Sequence, residues 1–198
     1  MPEVKKAELI EGVVYMPSPV RVQSHGKPHS ILNAWLVYYV SKTPGLGGFA
    51  DNTTVRLDND NEPQPDLLAL LPPHLGGAAK VDADDCISGP PALVCEVAAS
   101  TVSIDLHLKK TAYRRNGVRE YLVWRTEDAA IDWFVLTAGD FVPLAPEPDG
   151  TLRSRAFPGL WLNPVALIGG DLPALFAQLD QGTATTEHAE FVKQLSAK

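Results

Sequence analysis

The sequence has few cysteines, fewer basic than acidic residues and no long apolar run. Its two cysteines, Cys86 and Cys95, lack the spacing of a zinc or redox motif, and Cys95 lies in an apolar run that suits a core residue. Lys and Arg number 17 against 24 Asp and Glu, which gives a net charge of −7. This charge argues against a general nucleic-acid coat protein. It is compatible with an enzyme that meets DNA through a local basic patch and metal ions.

The apolar runs are too short to span a membrane, and residues 1–6 are not followed by the apolar core of a signal peptide. We therefore expect a cytoplasmic protein with no membrane partner. At 198 residues, 45% of them hydrophobic, the chain has enough length for one globular domain with a sizeable core. Its 15 glycines and 17 prolines indicate many turns between short elements.

The order of the apolar patterns predicts an α/β fold (mixed α+β), in which helices flank a central mixed β-sheet. A strand-like run ends at Met16 and is followed by a turn at residues 17–19. The other strands are predicted at 49–57, 65–71, 92–98, 120–125 and 131–136. Helices are predicted at 28–41 and 104–116, with one or two more around 172–179 and 185–195.

Two of the predicted strands each carry one acidic residue among apolar neighbours. Asp66 follows Pro65 at the start of one strand, and Glu96 lies between Cys95 and Val97 in another. A carboxylate inside an apolar strand loses hydration unless a cation or a hydrogen bond compensates it. Asp66 could instead cap a turn at the start of its strand. For Glu96, the apolar neighbours favour a functional role, because a purely structural buried glutamate is rare.

The helix after the Glu96 strand carries two adjacent lysines. Lys109 shares its apolar face with Ala112 and Tyr113, and Lys110 lies beside it, so either amine could point inward. The alternative is a lysine that extends along an exposed flank. Asp105, one turn earlier, could position the amine or form only a surface ion pair.

Two carboxylates and a lysine are the components of metal-assisted phosphodiester hydrolysis. Carboxylate oxygens suit Mg²⁺ or Mn²⁺, and a lysine can orient the nucleophile or stabilise the developing charge. Simple ion pairs use the same residue types. Residue spacing alone therefore leaves both interpretations open.

The arrangement of these motifs resembles the Uma2 (DUF820) family of the PD-(D/E)XK restriction-endonuclease-like superfamily. The resemblance covers about residues 8–162 and rests on five pieces of sequence: the opening at residues 8–16, His25-Gly26, Pro65-Asp66, Glu96-Val97 with Ser100-Thr101, and the pattern from Asp105 through Lys109, Tyr113 and Gly117 to Tyr121. It implies a metal-dependent nuclease with a single domain over 1–198. This domain would consist of a restriction-endonuclease-like core at about 8–162 and a C-terminal helical extension at about 163–198.

The resemblance also assigns roles to individual residues. Asp66 and Glu96 would be ligands of Mg²⁺ (or Mn²⁺), and Lys109 would be the catalytic lysine. The superfamily places its lysine two residues after the acid, where this chain has Ala98, and Lys109 fits a position moved onto the following helix. The resemblance further implies DNA as substrate and a homodimer. His25, Ser100 and Lys110 become candidates for contacts to the substrate or to the metal ligands.

Two other functions stay open. One is a catalytically inactive member of the fold that serves as a binding module, which the acidic charge and the displaced lysine would suit. The other is a hydrolase of a different phosphodiester. The remaining polar clusters are weaker candidates: His25 and His29 have Pro28 between them, and Asp82, Asp84 and Asp85 lack the pattern of a calcium loop.

Overall fold

The computed structural model describes residues 7–16 and 19–197. Residues 1–6 and the first two residues of the turn predicted at 17–19 lie outside this part of the chain. The strands are β1 (Glu8–Ile10), β2 (Val13–Tyr15), β3 (Phe49–Asp51), β4 (Val55–Arg56), β5 (Leu67–Ala69), β6 (Lys80–Val81), β7 (Ile87–Ser88), β8 (Leu93–Ala98), β9 (Glu120–Arg125), β10 (Ala130–Thr137), β11 (Asp140–Pro143), β12 (Leu152–Arg153) and β13 (Trp161–Leu162). The α-helices are α1 (Lys27–Lys42), α2 (Lys110–Asn116), α3 (Pro164–Gly169), α4 (Leu172–Thr183) and α5 (Thr186–Ser196).

The central sheet has six strands in the order β11-β10-β9-β8-β5-β3. β8 and β9 run parallel, with Glu96 opposite Val123, whereas the other neighbouring strands pair antiparallel. A parallel pair needs a crossover connection, and residues 99–119 supply it with a helix. The sheet is therefore mixed, and the predicted fold class is confirmed.

Side chains alternate between the two faces of β8, and all six of its residues are buried. Cys95 and Val97 face the larger core, which contains Trp35 and other residues of α1. Val94 and Ala98 face a smaller core on the α2 side of the sheet. Glu96 lies between them in sequence and so shares the α2 side, which places its carboxylate under the helix that carries the lysines.

The two helices α1 and α2 each follow a π-helical segment, whose turns are wider than the sequence pattern predicts. The π-helical segment Val22–Gly26 leads into α1, and the π-helical segment Ile104–Lys109 leads into α2. α2 ends where expected, at Gly117 with φ +87°, because glycine accepts this left-handed conformation without strain. π-helical turns are rare and are frequent at functional sites.

Two details of the predicted elements were wrong. The single strand predicted at 49–57 is divided, because Asn52 adopts φ +47° and directs β4 into a separate three-stranded sheet with β6 and β7. At the C-terminal end, α3 was not predicted, since six residues show no helical periodicity. Within the described residues, no helix is both long and apolar enough to cross a membrane.

Glu120, at the start of β9, is fully buried and holds a neighbouring loop in place. Its Oε1 atom accepts hydrogen bonds from the backbone N–H groups of Arg155 (2.6 Å) and Ala156 (2.8 Å). Its Oε2 atom accepts from Ser154 Oγ (2.8 Å) and Trp133 Nε1 (3.1 Å). Burial raises the pKa of Glu120, and these hydrogen bonds act in the opposite direction. Four donors thus replace the water that the carboxylate loses.

We expect Glu120→Ala to lower the free energy of unfolding by about 3 kcal/mol, because it leaves several buried donors without an acceptor. Urea unfolding measures this loss. Glu190→Ala, at an exposed position of α5, is the matched control and should change stability by about 0.5 kcal/mol or less. Equal effects of the two substitutions would show that the buried carboxylate does not hold the loop.

Candidate active site

Asp66 and Glu96 lie next to each other on neighbouring strands. Leu67 of β5 pairs with Cys95 of β8 in an antiparallel arrangement. Asp66, which precedes Leu67, therefore comes beside Glu96, which follows Cys95. Asp66 Oδ2 accepts a hydrogen bond of 2.7 Å from the backbone N–H of Val97. Both acids are 4% exposed. The two carboxylates that the sequence singled out therefore share one buried location.

Lys109, on the last turn of the second π-helical segment, extends into this location. Its Nζ atom lies 3.1 Å from Glu96 Oε1, 2.9 Å from Glu8 Oε1 and 3.6 Å from Asp105 Oδ1. The side chain is only 7% exposed. One ammonium group therefore contacts three carboxylates, which come from β1, β8 and the π-helical segment. We call Glu8, Asp66, Glu96, Asp105 and Lys109 the acid–lysine cluster.

The role of Glu8 was missed from the sequence, where this residue appeared only as part of a family-like opening. It reaches the cluster because β1 and β2 form a hairpin joined to the rest of the fold through Glu62, with which Leu9 exchanges two backbone hydrogen bonds. Glu8 Oε1 also accepts a hydrogen bond of 2.7 Å from the backbone N–H of Gln64. An apolar-pattern analysis could not find this pairing, because Glu8 and Lys109 are 101 positions apart in the chain.

Two hydroxyl groups also donate hydrogen bonds to Glu96 and Asp105. Tyr113 Oη donates to Glu96 Oε1 at 3.0 Å, and Thr101 Oγ1 donates to Asp105 Oδ2 at 2.6 Å. Both hydrogen-bond donors of Glu96 bind its Oε1 atom, so its Oε2 atom accepts none from the described residues. This oxygen is available to an added cation.

Burial and charge shift the pKa values of the cluster in opposite directions. Burial raises the pKa of Glu96 and of Asp105, and the charge of Lys109 only partly offsets this. Burial acts to lower the pKa of Lys109, but Glu96, Glu8 and Asp105 outweigh it and hold that pKa above its ordinary value. The lysine therefore stays protonated, whereas two of its partners resist losing their protons. When all of its acids are ionised, the buried cluster has more negative charge than one ammonium group neutralises.

His25 and His29 both contact Asp66. His25 Nε2 lies 3.3 Å from Asp66 Oδ1, and His29 Nε2 lies 3.2 Å from the backbone carbonyl oxygen of Asp66. The two rings stack with their centroids 5.9 Å apart. Burial acts to raise the pKa of Asp66, but His25 and the Val97 N–H outweigh it and lower the pKa. Asp66 is thus held as a carboxylate beside neighbours that favour the protonated form.

Two of the weaker sequence candidates lie apart from this cluster. Lys110 Nζ sits 3.5 Å from the centroid of the Phe134 ring, so the structure brings Lys109 and not Lys110 to the acids. Ser100 is exposed, and its side chain makes no hydrogen bond within the described part of the chain. The carboxylates of Asp82 and Asp84 instead bind Arg56 at 2.9 Å and 2.7 Å.

The donor set of the cluster fits Mg²⁺ or Mn²⁺. These ions prefer carboxylate oxygens, and Mg²⁺ keeps several waters, so it needs only one or two protein carboxylates. The surplus of buried negative charge and the free Oε2 atom of Glu96 are the observations that support this fit. Among the described residues, no group of three or more His, Cys, Asp or Glu side chains is arranged to enclose a metal ion.

We expect Lys109→Met to lower the free energy of unfolding by about 3–5 kcal/mol at pH 7.5, because it leaves buried carboxylates without their cation. The raised pKa values of Glu96 and Asp105 mean that the folded state takes up protons at a higher pH than the unfolded chain does. Acidification therefore favours folding of this variant, and the loss should be at least about 1 kcal/mol smaller at pH 5.

Urea unfolding at the two pH values tests this expectation, with Lys110→Met as the control. Removing the contact of Lys110 with Phe134 should cost about 1 kcal/mol or less at both pH values. A pH-independent loss in Lys109→Met would contradict the charge balance described above.

Comparison with known proteins places this chain in a family. Residues 1–165 match the sequence profile of Uma2, described as "Putative restriction endonuclease". A crystal structure from Anabaena variabilis ATCC 29413, described as "a putative nuclease belonging to DUF820", has a similar fold with a TM-score of 0.57 at 13% identity, over 82% of this chain and 89% of that one. No curated protein is significantly similar to the chain. Because the profile covers most of its length, the chain belongs to the Uma2 family.

Proposed function

We propose that this protein is a metal-dependent endonuclease that hydrolyses phosphodiester bonds of DNA. The observation that carries the proposal is the contact of Lys109 with Glu96, beside Asp66 on the next strand, in a location with surplus buried negative charge. The family description and the fold of the structural neighbour, which is described as "a putative nuclease", are consistent with this chemistry.

Asp66 and Glu96 would hold Mg²⁺, and different neighbouring groups fix each carboxylate in position. Asp66 is fixed by the Val97 N–H and by His25, and its lowered pKa keeps it ionised. Glu96 is fixed through its Oε1 atom, which leaves its Oε2 atom for the metal. When bound, the ion would lower the pKa of a water molecule and neutralise charge on the phosphate.

Lys109 would stabilise the negative charge that develops on the phosphate oxygens. In the hydrolysis, a water oxygen forms a bond to phosphorus while the bond from phosphorus to the leaving sugar oxygen breaks. The water loses one proton to solvent or to a basic group, and the leaving oxygen gains one. Lys109 is suited to its role because its three carboxylate neighbours keep it charged and fixed in position.

Three further residues would support the site without contacting the substrate. Glu8 and Asp105 would act through Lys109, and Tyr113 would act through Glu96. Glu8 and Asp105 contact the ammonium group, and Tyr113 holds the Oε1 atom of Glu96. Such supports matter because a displacement of about 1 Å can reduce a rate strongly. The homodimer implied by the resemblance stays a prediction.

We expect the wild-type protein to cleave DNA in the presence of Mg²⁺ or Mn²⁺ and to be inactive in EDTA. Asp66→Asn and Glu96→Gln, which keep side-chain volume and remove charge, should reduce the rate by about a hundredfold or more. Gel assays on duplex and single-stranded DNA, with a small chromogenic phosphodiester alongside, identify the substrate class.

Glu147→Gln is the matched control, because this exposed side chain makes no hydrogen bond or ion pair within the described residues. Cleavage that needs no metal, or that survives both acid substitutions, would reject the proposal. Cleavage of the small diester alone would favour the hydrolase of another phosphodiester. A folded protein that binds DNA without cleaving it would favour the binding module.

A further inference from the structure

The contact between His25 and Asp66 is longer than a strong hydrogen bond between charged groups. His25 Nε2 lies 3.3 Å from Asp66 Oδ1. Hydrogen bonds from a charged N–H group to a carboxylate are typically about 2.7–2.9 Å long. Two ligand atoms that bind one ion at about 2.1 Å, at right angles to each other, lie about 3 Å apart. The separation of these two atoms is therefore close to that of two ligands that share one cation.

Asp66 and Glu96 each have one carboxylate oxygen that donors of the protein fix in position. Asp66 Oδ2 accepts a hydrogen bond from the Val97 N–H, and Glu96 Oε1 accepts both hydrogen bonds that described side chains donate to this residue. The oxygen that remains on Asp66 is Oδ1, which is the one beside the His25 ring. The imidazole therefore lies at the oxygen of Asp66 that is left for a metal ion.

The His25 ring has no second polar contact in the part of the chain that the structure describes. Its Nδ1 atom is buried and has no hydrogen-bond partner among the described residues. Stacking on the His29 ring, with the centroids 5.9 Å apart, sets the plane of the imidazole. The side chain is 27% exposed, so the Asp66 contact is open to solvent. The polar function of this side chain is thus concentrated in its Nε2 atom.

The backbone on both sides of the His25–Asp66 contact is held in place. His29 Nε2 lies 3.2 Å from the backbone carbonyl oxygen of Asp66. The carbonyl oxygen of Ser24, the residue before His25, accepts a hydrogen bond of 2.7 Å from Thr126 Oγ1. These contacts join the first π-helical segment to the start of β5 and to the turn after β9. The imidazole and the carboxylate are therefore brought together by the fold and not by their own attraction alone.

We propose that His25 Nε2 is a third ligand of the metal ion, beside Asp66 and Glu96, and that it makes the site select Mn²⁺ over Mg²⁺. The inference rests on the proposed function and specifies its cofactor. Mg²⁺ prefers oxygen ligands, whereas first-row transition metals also bind imidazole nitrogen. No group of three such side chains encloses an ion within the described residues, so Glu96 completes the set only when metal binds.

Electron spin echo envelope modulation of bound Mn²⁺ tests the ligand directly, because it detects a nitrogen nucleus bonded to the ion. The protein is used without a polyhistidine tag and without DNA. We expect nitrogen modulation in the wild type and its loss in His25→Ala. His107→Ala is the matched control and should retain the modulation, because this histidine is exposed on the second π-helical segment.

Calorimetry with Mn²⁺ and with Mg²⁺ tests the selectivity. His25→Ala should weaken Mn²⁺ binding about tenfold or more and Mg²⁺ binding about threefold or less, since only Mn²⁺ gains from the nitrogen ligand. His107→Ala should leave both affinities unchanged. Equal losses for the two ions in His25→Ala would show that His25 only positions Asp66, and they would overturn the inference.

The wild-type measurement keeps the inference testable even if His25→Ala does not fold. Bound Mn²⁺ without nitrogen modulation overturns the role of His25. If metal-dependent cleavage that requires Asp66 and Glu96 persists in that case, the nuclease proposal stands without it. If the modulation depends on His25 but DNA is not cleaved, the ligand assignment stands and the nuclease proposal fails. If the wild-type protein binds neither ion, both fail.

Discussion

The contact between one ammonium group and three carboxylates is the interaction on which the candidate site depends. Lys109 reaches Glu8, Glu96 and Asp105 within 3.6 Å, in surroundings where an isolated charge would be costly. Each partner comes from a different element, so the contact requires the hairpin, the sheet and the helix to be in place together. Asp66 adds a fourth carboxylate beside this set. The result is a largely buried location in which four carboxylates surround one cation.

The fold forms this location through its strand pairing and its two π-helical segments. The parallel pairing of β8 and β9 requires a crossover, and the crossover helix carries Lys109 and Tyr113 back over Glu96. Both π-helical segments contain site residues, since His25 lies in the first and Lys109 in the second. Natural proteins tolerate such local departures from regular geometry where function requires them. Glu120, by comparison, has four donors and no role at the acids, so a buried acid alone does not identify the site.

The sequence was informative where the signal was local. An acid within an apolar strand pointed to Glu96, and the helical spacing of Asp105, Lys109 and Tyr113 is visible without a structure. The mixed sheet also followed from the order of the elements. The choice between Lys109 and Lys110 did not, because it depends on how the widened turn directs adjacent side chains. Glu8 and the contact of His25 with Asp66 were equally inaccessible, because they join parts of the chain that only the folded sheet brings together.

We propose that Glu96 is kept available for a metal ion at a cost in stability. The most direct measurement is the free energy of unfolding of wild type and Glu96→Gln, each with and without Mg²⁺. Without metal, the variant should be at least as stable as wild type, because burial disfavours the Glu96 charge. Added Mg²⁺ should stabilise wild type by about 2.7 kcal/mol at a hundred times its Kd and leave the variant unchanged. A wild-type protein that Mg²⁺ does not stabilise, or a variant that gains as much, would contradict the claim.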